Sequence, residues 1–294
     1  MSIISTLNLA YPEKSDIQFE KTQFPDGQQS IKITSDVLSE RAIKIYSRFT
    51  SFRDLELILC ATSALKNLGM TDIFLYIPYL LGGRSDRKFE EGSINYIKDV
   101  IAPIINAQQY KGVLILDPHS DVSEACIDRL DKIDNYALVK AALSSINITN
   151  KSSKELCIIS PDAGALKKIY GVATHFNIKN VLTASKVRDM STGKILHTEI
   201  PNIIGKDAQT FVIIDDICDG GRTFIEVAKA IRKKRPVIEF NDKIYLIATH
   251  GIFSAGLLEL SVWVDAVYTT NSVKDIKPAE YLDTPDFLTQ FNVY

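Results

Sequence analysis

The chain has 294 residues, 46% hydrophobic and 24% charged, a length and balance that fit two globular domains of roughly 150 residues with real cores. Its 34 Lys and Arg against 36 Asp and Glu leave a net charge of -2, which excludes a global attraction to nucleic acid or to an anionic membrane surface. Any anion site must be local, no apolar run approaches the ~20 residues that cross a bilayer, and Cys60, Cys126, Cys157 and Cys218 lack C-x-x-C spacing and read as reduced thiols of a cytoplasmic protein.

The opening "MSIISTLNLAYPEKSD" lacks the basic segment and apolar core of a signal peptide. Further along, "LELILC" (55–60) and "DIFLYIP" (72–78) are short apolar runs, predicted as strands covered on both faces. "SINYIKDVIAPIIN" (93–106) has helical spacing that Pro103 should bend or interrupt. "GVLILD" (112–117) predicts another strand, and the polar stretch "NITNKSSKE" (147–155) marks a domain boundary. Beyond it, "ELCIIS" (155–160), "FVIIDD" (211–216) and "KIYLIAT" (243–249) predict strands. Phe224, Val227, Ala228 and Ile231 fall at i, i+3, i+4 and i+7, with Glu226, Lys229, Arg232 and Lys233 opposite, and predict an amphipathic helix. The basic run "RKKR" (232–235) reads as its solvated end and not as a nucleic-acid patch. The alternation predicts an α/β fold with domains at 1–148 and 149–294.

The chemistry concentrates in "FVIIDDICDGGRTFIEVAKAIRKK" (211–234). Ligands of open α/β sheets bind beyond the carboxyl ends of the strands, where residues 215–223 stand. A following helix offers free N–H groups and its positive dipole end. Gly220 and Gly221 allow close backbone approach, and Arg222 and Thr223 add a cation and a hydroxyl: an anion cradle suited to phosphate. Asp215, Asp216 and Asp219 would repel a phosphate, so they must hold a divalent metal or accept hydrogen bonds from sugar hydroxyls. A ribose 5-phosphate offers both hydroxyls and phosphate.

This stretch resembles the ribose-phosphate-binding loop of type I phosphoribosyltransferases and of ribose-phosphate pyrophosphokinases (PRPP synthases). The family pattern is four apolar residues, Asp-Asp, two variable positions, Asp-Thr, a small residue and Gly-Thr. Asp215, Asp216, Asp219 and Thr223 fit it, whereas Gly220 replaces Thr and Arg222 replaces Gly. Other segments are similar to the synthase branch in the same order. They are "FPDGQ" (24–28), "PYLLGGRSDRK" (78–88), "LILDPHSD" (114–121), "SPDAGA" (160–165), "SKVRD" (185–189) and "ATHGIFS" (248–254).

The resemblance implies two similar domains of the type I phosphoribosyltransferase kind, each a mostly parallel sheet flanked by helices, the first on the ATP side and the second on the ribose-phosphate side. A last helix is expected against the N-terminal domain. It implies that Phe24, Asp26, Gln28, Arg84, Ser85, Arg87 and His119 contact ATP, with Gln28 and Ser85 departing from the family's Glu and Gln. His119 and Asp162 would hold Mg²⁺, a hard ion that takes oxygen ligands and keeps waters and substrate phosphates. Lys186 and Arg188 would meet charge on the transferred phosphoryl group. Asp219 would position or deprotonate the 1-hydroxyl, and Asp215, Asp216 and Gly220 through Thr223 would hold the ribose phosphate.

The implied reaction moves the diphosphoryl group of Mg-ATP to the anomeric hydroxyl of ribose 5-phosphate, giving PRPP and AMP. Arg222 either reflects drift, pointing to solvent, or would suit an extended acceptor such as ADP-ribose, in NAD salvage. The rival readings are a phosphoribosyltransferase and a non-catalytic, synthase-like subunit. The implied setting is a cytoplasmic homo-oligomer, a dimer or hexamer, with the Phe24 segment serving a neighbour's nucleotide site.

Overall fold

A computed structural model describes residues 4–37, 39–146, 156–188, 195–201, 209–237, 241–277 and 287–294. The chain forms two compact units: Met1–Asp134 together with Tyr294, and Asn135–Val293.

In the first unit, β1 (Ser5–Asn8) is followed by an antiparallel hairpin of β2 (Phe19–Gln23) and β3 (Gln29–Ile33). Then come β4 (Ile43–Tyr46), α1 (Phe52–Asn67), β5 (Ile73–Tyr76), α2 (Ala102–Asn106), β6 (Gly112–Leu116), α3 (Val122–Cys126) and β7 (Leu130–Ile133). A parallel sheet runs in the order β1-β4-β5-β6-β7. Leu7, Ile43, Ile45, Leu75 and Ile115 join Leu55, Ile58, Ala61 and Leu65 of α1 in its core.

The run at 55–60, expected as a strand, lies inside α1. Ser51 and Asp54 close a capping box: Ser51 Oγ accepts from the Asp54 amide at 3.4 Å, and Asp54 Oδ2 accepts from the Ser51 amide at 2.9 Å. Leu55, Ile58, Thr62 and Leu65 then recur at three- and four-residue steps, a period invisible in a six-residue window. The break expected at Pro103 takes the form of a widened turn. Ile97–Ile101 winds with i to i+5 bonding, Ala102 N–H donating to the Ile97 carbonyl, and α2 starts immediately before the proline.

In the second unit the order along the chain is α4 (Tyr136–Ser145), β8 (Leu156–Ser160), α5 (Leu166–His175), β9 (Asn180–Thr183), β10 (Ser185–Arg188), β11 (Ile195–Glu199), β12 (Thr210–Cys218), α6 (Arg222–Lys234), β13 (Lys243–Gly251), α7 (Leu258–Trp263), β14 (Ala266–Thr270) and β15 (Leu288–Phe291). A parallel sheet runs β15-β14-β13-β12-β8-β9, and β10 pairs antiparallel with β11. Central β12 is apolar from Phe211 to Ile214 because both faces are covered there. Phe211 and Ile213 meet Phe224, Val227 and Ile231 of α6, while Val212 and Ile214 meet Leu138, Val139 and Ala142 of α4 and Ile169 and Val172 of α5.

The boundary falls at Asp134/Asn135, not at 148/149. Helix α4 belongs to the second unit because Leu138, Val139, Ala142 and Leu143 bury against Ile158, Val212 and Ile247 of its sheet. The polar stretch 147–155 lies outside the described residues. Among the described residues the chain ends in β15 and not in a helix; Tyr294 belongs to the first unit, its ring 5.2 Å from that of Tyr11.

The run 232–235 is only in part a solvated helix end. Arg235 is buried and grips Asp242 through Nε and Nη2 at 2.6 and 2.9 Å, Arg232 pairs with Asp265 at 3.3 Å, and Lys234 donates to the Ile200 carbonyl at 2.7 Å. No helix among the described residues is long and apolar enough to cross a membrane.

Candidate active site

Strand β12 carries its acids at its carboxyl end. Asp216 is buried and Asp215 half-buried; the Asp216 amide donates to Asp215 Oδ1 at 2.9 Å. Lys168 of α5 places Nζ 3.9 Å from Asp216 Oδ2. Burial first, and the Asp216 carboxylate second, push Asp215 well above the usual carboxylate range, against the opposing pull of the Asp216 amide and Lys168. The same burial, helped by Asp215 and Asp219, pushes the Cys218 thiol up, and burial holds Cys157 at about 12, so both behave as inert core thiols.

After Asp219 the chain turns into α6 through Gly220 and Gly221. Gly221 caps the helix at φ +79°, and a Cβ there would stand 3.1 Å from Cγ and Cδ1 of Leu260, so both backbone and space require glycine. Thr223 is half-buried. Arg222 is exposed, with no hydrogen bond or ion pair among the described residues.

Two neighbouring strand ends complete the group. Behind β8, Asp162 Oδ1 accepts the amides of Gly164 and Ala165 at 3.0 and 3.2 Å, and Oδ2 accepts from Lys186 Nζ at 2.8 Å. Burial works against the Asp162 charge, but the hydrogen bond and charge of Lys186, with both amides, more than offset it and hold the carboxyl below its ordinary value. Lys186 sits on β10, directly after β9, opposite Thr198 of β11. The backbone of Arg188 pairs with Ile195; its side chain, like residues 189–194 of the expected loop, lies outside the described residues.

The chain runs outward from β8 to β9 on one side and from β12 to β15 on the other. The β8/β12 crevice is thus the switch point of the sheet, where such folds bind ligands. The chain therefore brings Asp162, Lys186 and the 215–223 loop to the carboxyl ends of adjacent strands.

The segment after β13 backs this loop. Ile252 and Phe253 amides donate to the Cys218 carbonyl at 2.8 and 3.2 Å, and Ser254 Oγ donates to Asp219 Oδ1 at 2.6 Å. His250 is buried, its Nδ1 2.8 Å from Ser272 Oγ. Sequence reading misses Lys168 and Ser254 as parts of the site. A helix lysine and a turn serine carry no spacing signal until the strand order places them.

In the first unit, Arg84, Ser85 and Arg87 follow β5 and His119 follows β6. Gly82 turns the chain at φ +75°, and a Cβ there would stand 2.2 Å from the Tyr96 ring. A Cβ on Gly83 would lie 3.7 Å from that of His119, so the two loops touch. Arg84, Arg87 and His119 are exposed and Ser85 half-buried; between the arginines Asp86 is buried, Arg87 Nε lying 3.5 Å from its Oδ1. Phe24, Asp26 and Gln28 stand exposed on the tip of the β2–β3 hairpin, where Asp26 Oδ1 accepts the Gln28 amide at 3.1 Å.

A cavity of about 470 Å³ in the second unit lies elsewhere, between Arg232, the residues from Ser261 to Asp265, and Phe287. Asp265 immediately precedes β14, which puts this cavity at the amino ends of the strands. Among the described residues no three His, Cys, Asp or Glu side chains cluster as a closed metal cage. A single ionised, half-buried Asp162 suits a magnesium ion whose other oxygens come from nucleotide phosphates and water.

Residues 128–241 match the family model described as the phosphoribosyl transferase domain. The chain is 30% identical to the ribose-phosphate pyrophosphokinase of Ureaplasma parvum over 84% of this chain and 71% of that one. It is 28% identical to that of Pyrococcus furiosus over 89% and 88%. The crystal structure of phosphoribosylpyrophosphate synthetase from Mycobacterium smegmatis superposes with a TM-score of 0.77, covering 96% of this chain and 88% of that one at 16% identity, a likeness of fold.

Proposed function

The chain belongs to the ribose-phosphate pyrophosphokinase family, and from that premise we propose that it transfers the β,γ-diphosphoryl group of Mg-ATP to the 1-hydroxyl of ribose 5-phosphate, releasing AMP. The observation that carries this reading is the Lys186–Asp162 ion pair behind β8, beside the Asp-Asp…Asp-Gly-Gly-Arg-Thr loop of β12.

The 5-phosphate lies on the free amides at the start of α6, with Thr223 as hydroxyl donor. Asp215 and Asp216 accept from the vicinal sugar hydroxyls. Asp219 takes the proton of the 1-hydroxyl as its oxygen bonds to the β-phosphorus. The bond from the β-phosphorus to the bridging α-oxygen breaks, and the electron pair leaves on AMP. Lys186 and Arg188 meet the charge that builds on the transferred group; one such preorganised contact is worth roughly 10²–10³ in rate. Phe24, Asp26, Gln28, Arg84, Ser85 and Arg87 hold the nucleotide. Asp162 of the second unit would hold magnesium, which when bound would neutralise phosphate charge, and His119 of the first unit would contact ATP phosphate or its metal. In the same reading the protein works as a cytoplasmic homo-oligomer, with the exposed Phe24 hairpin serving a neighbouring copy.

One observation favours a second acceptor. Arg222 is exposed and unpaired among the described residues, beside an exposed Gly220 where the family places a threonine. A diphosphate on the sugar's 5-position, as in ADP-ribose, would gain a charge-assisted hydrogen bond there. AMP release from Mg-ATP with each acceptor tests both readings. Arg222→Gly is expected to shift the preference about tenfold toward ribose 5-phosphate. Turnover of ribose 5-phosphate alone overturns the extended acceptor, turnover of ADP-ribose alone overturns the simple one, and no AMP with either overturns the reaction.

A further inference from the structure

The segment "ATHGIFS" (248–254) has no step in the reaction above, yet it is tied to the ribose-phosphate loop at three points. The amides of Ile252 and Phe253 both end on the Cys218 carbonyl, and Ser254 Oγ ends on Asp219 Oδ1 at 2.6 Å. The turn is built for this. Phe253 takes φ +47°, a conformation rare for a bulky residue, while its ring is buried. A Cβ at Gly251 would stand 2.2 Å from that ring. Buried ring, glycine and shared carbonyl over-determine the turn and project Ser254 from a rigid base. Ser254 is exposed, so it contributes little to the core. On the loop side, a Cβ at Gly220 would lie 3.8 Å from Ser254 Oγ, so the two turns are in contact.

Resting on the proposed reaction, we propose that Ser254 is a positioning residue that fixes the Asp219 carboxylate. It holds Oδ1 and so fixes the side-chain rotamer in which the carboxylate meets the acceptor hydroxyl. The segment from Gly251 to Ser254 is then a brace for the catalytic loop, and Ser254 touches neither substrate.

The test compares kcat and KM for AMP release from Mg-ATP and ribose 5-phosphate or ADP-ribose, whichever the parent accepts. The variants are Ser254→Ala, Ser254→Thr, Asp219→Asn and the double variant Asp219→Asn/Ser254→Ala. A positioning role lowers kcat about tenfold in Ser254→Ala with KM changed less than about twofold, and the threonine hydroxyl restores most of it. In the Asp219→Asn background the alanine costs nothing further, because the group it acted through is gone. Thermal melting separates this from misfolding: the exposed Ser254→Ala should melt within about 2 °C of the parent. An unchanged kcat in Ser254→Ala, or an equal loss in both backgrounds, overturns the inference while the reaction stands. A parent that releases no AMP overturns both.

Discussion

At the scale of single residues, the site is defined by two carboxylates pushed in opposite directions. Lys186 and two amides hold the Asp162 carboxyl below its ordinary value against the pull of burial, the state its proposed magnesium role needs. Asp215 is forced up by burial and by Asp216. An acid raised on folding costs the folded state nothing below its unfolded value near 3.9, and progressively more as pH rises through the folded value. Asp215→Asn is therefore expected to raise the melting temperature at pH 8, by about 2–4 °C for each kcal/mol relieved, with the gain shrinking toward pH 4. The same variant should lose AMP release, the trade of stability for function expected of a binding site. Melting curves at the two pH values check it; a lower melting temperature at pH 8 would show that Asp215 is not strained by its surroundings. The candidate residues at 215–223 are legible as a group in the sequence because they stand together. The Lys186–Asp162 contact is not, because 24 residues separate the partners and only the order of β8, β9 and β10 joins them.

At the scale of elements, legibility followed burial geometry. Strand β12 reads as a strand because helices cover both its faces, and α6 reads as a helix because only one stripe of it is covered. Helix α1 misleads because its apolar residues crowd into a run before the helical period has space to show. The β12–α6 turn rests on one residue. Gly221→Ala forces an unfavourable φ and a clash with Leu260, for a cost of about 1–2 kcal/mol. Gly220 carries neither burden, since its φ is not in the left-handed range and the nearest atom to an added Cβ is 3.8 Å away. Gly221→Ala should melt several degrees lower and raise KM for the ribose phosphate, whereas Gly220→Ala should melt close to the parent. Equal behaviour of the two would remove the argument that Gly221 shapes the loop.

At the scale of the whole molecule, a net charge of -2 hides a strong local separation. The first unit offers exposed Arg84 and Arg87 at its strand ends, and the second offers three acids beside a helix amino terminus. The boundary between the units is not legible in composition because α4 is apolar on one side and polar on the other, and nothing in that pattern says which sheet it covers. The central claim is that the β12 loop holds a pentose phosphate while its anomeric oxygen accepts a diphosphoryl group. The ³¹P spectrum of a reaction containing Mg-ATP and the accepted ribose phosphate tests it most directly. AMP and a sugar carrying two coupled phosphorus signals at C1, formed one for one, are the expected products. ADP with a sugar that gains a single phosphoryl group, or nucleotide turnover with no phosphorus at C1, would contradict it.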